Sequence, residues 1–168
     1  MGEVIAIANQ KGGVGKTMTS VSLSACLSKH QKKVLLMDLD PQAHSTKAFG
    51  HRNMNEYPLS MKDVIISVIN DQSIDTEQLI LHSKEGVDIV PANISLAGIN
   101  SLLESAMCRE TVVKRFIDTI KEDYDYIIID TNPSLDNLPI NALTASDKVI
   151  ITVQAEPYGV EGMADLLR

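Results

Sequence analysis

Residues 9–17 read Asn9-Gln10-Lys11-Gly12-Gly13-Val14-Gly15-Lys16-Thr17 and follow directly on the apolar run Val4-Ile5-Ala6-Ile7-Ala8. A strand, a glycine-rich turn and a Lys-Thr pair that opens a helix are the ingredients of a phosphate-binding loop. The general pattern G-x-x-x-x-G-K-[ST] is not met literally, because Gln10 stands five residues before Gly15. What stands here is K-G-G-x-G-K-[ST], with Lys11 near the start and Lys16 at the end. Glycines at 12, 13 and 15, with Val14 between them, leave backbone N–H groups free to close on phosphate oxygens, where a Cβ would obstruct them. The N-terminus of the following helix adds partial positive charge at the same point. Lys16 is placed to reach the terminal phosphates of a nucleotide and Thr17 Oγ1 to hold Mg²⁺. A glycine-rich turn that binds nothing is the competing reading. Three glycines, two lysines and a threonine in register weigh against it.

Lys11 carries further information. One lysine suffices to neutralise a terminal phosphate, so a second at the loop's opening needs a reason. Its ammonium folds back on the same nucleotide, reaches a nucleotide held by a second copy of the chain, or is simply solvated. The residues alone do not separate these.

Outward from the loop, short strand-like runs alternate with helical ones. The strand candidates are Glu3–Ala8, Lys33–Met37, Val87–Val90, Tyr126–Ile129 and Lys148–Val153. Most are nearly continuous in Val, Ile and Leu, which suits strands buried on both faces. The helical stretches are Lys16–Lys29, Ser60–Asn70, Ser95–Met107, Arg109–Glu122 and roughly Leu138–Ala145. In the fourth, Val112, Val113, Phe116 and Ile120 recur at helical spacing and predict one buried stripe. The alternation predicts an α/β fold: a mostly parallel sheet with helices on both faces, joined by right-handed crossovers. There is no internal repeat and no linker, so 1–168 reads as one domain.

Two further segments fit a nucleotide site. In open α/β sheets the ligand sits at the carboxyl ends of the strands. Asp38 and Asp40, in Met37-Asp38-Leu39-Asp40-Pro41-Gln42, fall there, one loop from the phosphates if the second strand neighbours the first. Residues two apart on an extended segment point the same way, so both carboxylates are expected to face the nucleotide, one toward hydrated Mg²⁺ and one toward the attacking water. A polar turn before Pro41 is the alternative. The run Tyr126-Ile127-Ile128-Ile129-Asp130 ends in the carboxylate expected of a Walker B strand, with Thr131 beside it. Gln154-Ala155-Glu156-Pro157 suits either a base-binding wall or a plain turn.

Composition bounds the rest. Of 168 residues, 44% are hydrophobic and 22% charged, an ordinary balance for a folded domain, and the net charge of −7 argues against a basic nucleic-acid binder on charge alone. No apolar run approaches the ~20 residues of a membrane span, and the chain enters a strand at once, with no signal-peptide pattern. Cys26 and Cys108 are expected to be buried free thiols, and His30, His44, His51 and His82 surface or loop residues without metal-ligand spacing. The last residues, through Arg168, read as the start of a helix that stops early.

Together, Asn9–Thr17, Asp38–Gln42, Asp130–Leu135, Asn141–Asp147 and Gln154–Gly162 resemble the corresponding segments of the ParA/Soj partitioning ATPases, the deviant Walker A class that includes MinD. Asp-Leu-Asp-Pro-Gln is similar to ParA and Soj rather than to MinD. The resemblance covers essentially the whole chain. It implies ATP and Mg²⁺ as cofactors, with Lys11, Gly12, Gly13, Val14, Gly15, Lys16, Thr17, Met18 and Pro157 at the nucleotide. Lys11 would reach across an ATP-sandwich homodimer, and Gly12 would lie at its interface. Lys11, Lys16 and Asp40 would serve hydrolysis, and Thr17, Asp38 and Asp130 the metal. It further implies a cytoplasmic, nucleoid-associated bacterial protein whose ATP dimer binds DNA without sequence preference, and a ParB-type partner that stimulates slow hydrolysis. Relatives in this family continue well past position 168, so part of the C-terminal region usual in the family is expected to be missing. The family's usual proline is replaced by Asn132, which adds a polar group near the γ-phosphate. Met18 replaces a usual Thr and is expected to point into the fold. Two other readings stand beside this one. A nucleotide-binding interaction module with little hydrolysis is favoured by Asn132. A MinD-like membrane-cycling ATPase needs a C-terminal amphipathic helix, which the sequence does not show. An iron–sulfur ATPase is set aside because Cys108 has no partner cysteine.

Overall fold

The computed structural model describes residues 2–53, 57–134 and 136–154. Its strands are β1 (Glu3–Ala8), β2 (Val34–Leu39), β3 (Leu81–His82), β4 (Val87–Val90), β5 (Tyr126–Thr131) and β6 (Lys148–Ile151). They form one sheet in the order β3-β4-β2-β5-β1-β6. Every pair is parallel except β3 with β4, which meet as an antiparallel edge hairpin. The helices are α1 (Lys16–Lys29), α2 (His44–Ala48), α3 (Met61–Ile69), α4 (Thr76–Leu79), α5 (Ile99–Ser105), α6 (Val112–Ile120) and α7 (Asn137–Ala145).

Strand alternation sorts the side chains into two cores. Ile5, Ile7, Val34, Leu36, Val87, Ile89 and Ile128 face one side, where Val21, Leu23, Ala25 and Leu27 of α1 and Phe49 cover them. Val4, Ala6, Leu35, Met37, Leu39, Val90, Ile127 and Ile129 face the other, against α3, α5, α6 and α7. The apolar stripe of α6 is buried as its spacing predicts: Val112, Val113, Phe116, Ile117 and Ile120 all lie in that second core. Each such side chain contributes about 1.5–3 kcal/mol by leaving water. The expected mostly parallel, double-faced sheet is what the chain forms.

Several boundaries differ from the sequence expectation, each for a local reason. β2 and β5 run two residues further than predicted, so Asp38, Asp130 and Thr131 sit inside strands. They remain paired there because β2 and β5 are neighbours, with Asp38 opposite Asp130 and Leu39 opposite Thr131. β2 is therefore not next to β1; β5 lies between them, and β1 also pairs with β5. The stretch around 95–107 opens as a 3-10 turn, Ile94–Gly98, capped by Asn93, before α5 begins. The Arg109–Glu122 stretch is likewise flanked by 3-10 turns, Arg109–Thr111 and Lys121–Asp123. Ser60 and Asp63 form a reciprocal cap that starts α3 one residue later than expected. β6 is an edge strand with exposed side chains, not one buried on both faces.

The cysteines correct a further expectation. Cys26 and Cys108 are free but exposed. Cys26 sits on the outer side of α1, and Cys108 occupies a turn at φ 51°. Of the histidines, His30, His44 and His82 are exposed as expected, and His51 is half-buried.

Candidate active site at the carboxyl ends of the strands

All the predicted site residues among the described ones gather at the carboxyl ends of β1, β2 and β5, where a cleft of about 500 Å³ opens. Gly12, Gly13, Gly15, Lys16, Thr17 and Met18 form one wall; Asp40, Gln42 and His44 another; Thr131 and Pro133 a third. Pro157 lies outside the described residues.

The glycine loop is shaped by backbone conformation. Gly13 and Gly15 take φ of 73° and 88°, the left-handed region that side chains disfavour. A Cβ at 12, 13 or 15 would meet nothing within 4 Å among the described residues. Glycine at 13 and 15 therefore answers to φ, and at 12 nothing among the described residues demands it. Lys16 is nearly buried, and its Nζ donates to Lys11 O at 2.7 Å, so the lysine arches over the loop that precedes it. Burial lowers its pKa, opposed by the charges of Asp130 and Asp40. The loop is also pinned from behind. Asn9, almost fully buried, accepts from Lys11 N at 2.9 Å and donates through Nδ2 to Thr152 O at 2.7 Å. Gln154 Nε2 donates to Gly13 O at 3.2 Å.

Asp38 and Asp130 lie side by side on the α1 face of the sheet, both with no exposed surface. Burial raises the pKa of each, to about 6 for Asp130, where the charge of Asp38 adds to the effect. Their surroundings differ. Asp38 Oδ1 accepts from Asp40 N at 3.0 Å, and Oδ2 accepts from Thr46 N at 2.9 Å and Thr46 Oγ1 at 2.7 Å. Both of its oxygens are thus occupied by protein donors. Asp130 Oδ1 accepts from Ser20 Oγ at 2.9 Å, but Oδ2 is buried with no hydrogen-bond partner. The Thr17 and Ser45 hydroxyls stand against the same carboxylate and favour its charged form, but neither makes a hydrogen bond of good geometry to Oδ2.

That orphan oxygen is one of a group. Among the described residues, Ser45 Oγ, Asp130 Oδ2, Asn132 Oδ1, Ser134 Oγ and Thr152 Oγ1 are buried without a partner; Asp130 is the next-to-last residue of β5, and the others follow the carboxyl ends of β2, β5 and β6. Unpaired buried polar groups are rare in folded proteins, and their concentration here marks an end of the sheet that a polar ligand would complete. Among the described residues, no three His, Cys, Asp or Glu side chains cluster as a self-sufficient metal site. The donor set of one free carboxylate oxygen and the Thr17 hydroxyl fits Mg²⁺, which takes one or two protein ligands and keeps the rest for water and phosphate.

The structure relocates one predicted residue and keeps another where it was expected. Met18 does not point into the fold; it is 71% exposed at the mouth of the cleft, because the first turn of α1 turns position 18 outward while Lys16 and Ser20 turn inward. Thr131 lines the cleft, and its hydroxyl donates to Ile7 O at 2.8 Å, tying β5 to β1. Ser20 and Thr46 carry no sequence signal for this role: Ser20 meets Asp130 across 110 positions, and a serine or threonine in a helix reads as ordinary polar surface.

Comparison with known proteins agrees with this geometry. The sequence model of one family, described as an AAA domain, matches residues 2–168. The sporulation initiation inhibitor protein Soj of Bacillus subtilis is 45% identical over 167 residues, 99% of this chain and 64% of Soj. The chain belongs to the ParA/Soj family. The chromosome partitioning protein ParA of Myxococcus xanthus is 38% identical across 99% of this chain and 57% of its own length. A crystal structure of cobyrinic acid a,c-diamide synthase from Mycobacterium smegmatis, with bound ADP and magnesium, superposes with a TM-score of 0.91 at 39% identity, over 100% of this chain and 66% of that one. The chain thus spans between 57% and 66% of the length of these relatives. As a member of this family the fold is that of a P-loop nucleotide-binding domain. No helix among the described residues is long and apolar enough to cross a membrane.

Proposed function

We propose that this chain is the nucleotide-binding part of an ATP-dependent switch that partitions DNA, as the name of the ParA relative suggests. ATP occupies the cleft, its phosphates on the backbone of residues 11–17 and on Lys16, with Mg²⁺ at Thr17 and Asp130. The observation that carries this reading is the buried, unpaired Asp130 Oδ2 beside a glycine loop that Lys16 already encloses. Bound Mg²⁺ supplies charge neutralisation at the terminal phosphates. This chain's residues do the remainder. Lys16 donates to phosphate oxygens in place of Lys11 O. Asp40, at the cleft wall, orients the attacking water. Asp38 acts on the metal site from one shell out, since its own oxygens are taken.

Two copies meet face to face across the nucleotide, with Lys11 of each reaching the other's phosphates. Gly12 supports this arrangement: it has open space and no positive φ in the single chain, so its lack of a side chain suits a close approach from outside. Non-specific DNA binding by the ATP dimer, and stimulation of slow hydrolysis by a ParB-type partner, are activities proposed for the whole protein. A cytoplasmic, nucleoid-bound location follows from the same reading.

Mass by light scattering tests the switch. A dimer with ATP–Mg²⁺ and a monomer with ADP–Mg²⁺ is the expected result, and Gly12→Val should abolish the dimer while sparing ATP binding. A monomer in both states would leave the nucleotide-binding module as the surviving reading.

A further inference from the structure

Asp40 stands on a loop outside the strand that precedes it, yet its task requires a fixed position. The fixing comes from behind. Both ends of the segment 40–46 hang on the one carboxylate of Asp38: Asp40 N donates to Oδ1, and Thr46 N and Oγ1 both donate to Oδ2. The segment is also closed on itself. Gln42 N donates to Asp40 Oδ1 at 2.9 Å, Ala43 N donates to Asp40 O at 2.8 Å, and Ala43 is buried in the left-handed region at φ 54°.

Thr46 is fully buried, and its hydroxyl works in two directions. It donates to Asp38 and accepts from Ala92 N at 3.3 Å, just past the end of β4. Next to that contact, Met61 N donates to Pro91 O at 2.8 Å and holds the start of α3. The hydroxyl therefore joins the Asp40 loop to two neighbouring strand ends. Buried hydrogen bonds to a charged acceptor are the strong kind, and leaving one member unpaired is costly.

We propose that Thr46 is a positioning residue for the hydrolytic step: through the Asp38 carboxylate and the end of β4 it fixes the loop that presents Asp40 to the cleft. The proposal rests on the hydrolytic role given to Asp40 above. It makes a sharp chemical demand. Valine at 46 would match the shape of threonine and keep the backbone bond, yet would remove a donor from Asp38 and the acceptor from Ala92 N.

The test pairs hydrogen exchange on the nucleotide-free protein with ATP turnover and ATP affinity. Thr46→Val should speed exchange locally, over 40–48 and around Ala92. It should lower kcat by roughly 10- to 100-fold, the scale of a small misplacement at a reacting centre, and leave ATP affinity within about threefold. Thr46→Ser, which restores the hydroxyl, should restore both readouts. If Thr46→Val is too unstable to study, Thr46→Ala gives the same comparison without forcing a methyl against the carboxylate. Wild-type exchange in the loop, wild-type kcat, an equal loss of affinity and kcat, or failure of serine to restore would each overturn the proposal. Faster loop exchange combined with turnover that Asp40→Ala does not change would instead overturn the hydrolytic role of Asp40 and reduce Thr46 to a structural tie.

Discussion

The two ends of the sheet treat their charges in opposite ways. At the amino ends of the strands, and on the outer face of α6, carboxylates are exposed or half-exposed and matched with protein cations: Asp71 with Arg115, Asp118 with Lys114, Asp147 with Lys121 and Glu3 with Lys148, while Asp88 shares a hydrogen bond with the His82 ring. At the carboxyl ends, Asp38 and Asp130 are fully buried, and Lys16, though it feels the charge of Asp130, donates to Lys11 O. The amino end also holds the larger cleft, about 760 Å³ between the end of α3 and α6. Volume alone would choose that end. What distinguishes the carboxyl end is a pair of fully buried carboxylates, one of them with an unpaired oxygen, together with other buried polar oxygens left without a partner among the described residues. A matched ion pair has no need of a ligand; an unmatched buried carboxylate does.

The comparison can be broken most directly at the lysines and arginines. Lys16→Ala should weaken ATP binding by roughly 100-fold or more, about 3 kcal/mol for one charge-assisted contact, as read by calorimetry. Arg115→Ala, at the larger cleft, should leave that affinity unchanged. Comparable losses from the two substitutions would erase the distinction between the ends.

The buried carboxylate offers a sharper test through pH. Asp130 is held at about 6 in the folded chain, by burial first and by the charge of Asp38 second, against an ordinary value of 3.8. Between these values the folded state keeps a proton that the unfolded state has lost. The resulting stabilisation is fully present below about pH 4 and is lost as pH rises through about 6; above that the ionised carboxylate costs at most about 3 kcal/mol relative to a neutral group. Without nucleotide or Mg²⁺, Asp130→Asn should therefore melt above the wild type at pH 8 and lose that advantage near pH 4. An advantage that is constant with pH would mean that Asp130 is not the strained group.

The smallest expected effect lies on the other side of the comparison. Lys114 and Asp118 form an exposed pair one turn apart on α6. Lys114→Ala should change stability by less than about 0.5 kcal/mol in denaturant titration, and a larger loss would show that the charges away from the cleft matter more than their exposure suggests.

How much of this was legible in the sequence follows from distance along the chain. The loop of residues 9–17 is read in one glance because its strand, glycines, lysines and helix are contiguous, and the structure keeps them in that order. Asp130 was legible as a carboxylate ending an apolar strand. The insertion of β5 between β1 and β2 was not, since strand order is decided by packing of whole helices and leaves no local mark. That order is what puts Asp38 opposite Asp130 and drives both beneath the surface. Nor was the occupation of Asp38 legible: an Asp-x-Asp segment predicts two carboxylates on one face, but only the fold shows that Thr46 claims the first. Ser20 meets Asp130 across 110 positions, a contact no spacing rule reaches. Met18 and the cysteines misled for one reason: an apolar or sulfur side chain is usually buried, and here Met18 and Cys26 fall on the outer side of α1 and Cys108 in an exposed turn.

The central claim is that Asp130 Oδ2 is unpaired because a cation completes it. The measurement is ATP affinity with and without Mg²⁺, for the wild type and for Asp130→Asn. The account predicts that Mg²⁺ tightens binding to the wild type by about tenfold or more, on the scale of one charge-assisted contact, and that Asp130→Asn loses this gain while still binding ATP through Lys16. An equal Mg²⁺ gain in both proteins would contradict it.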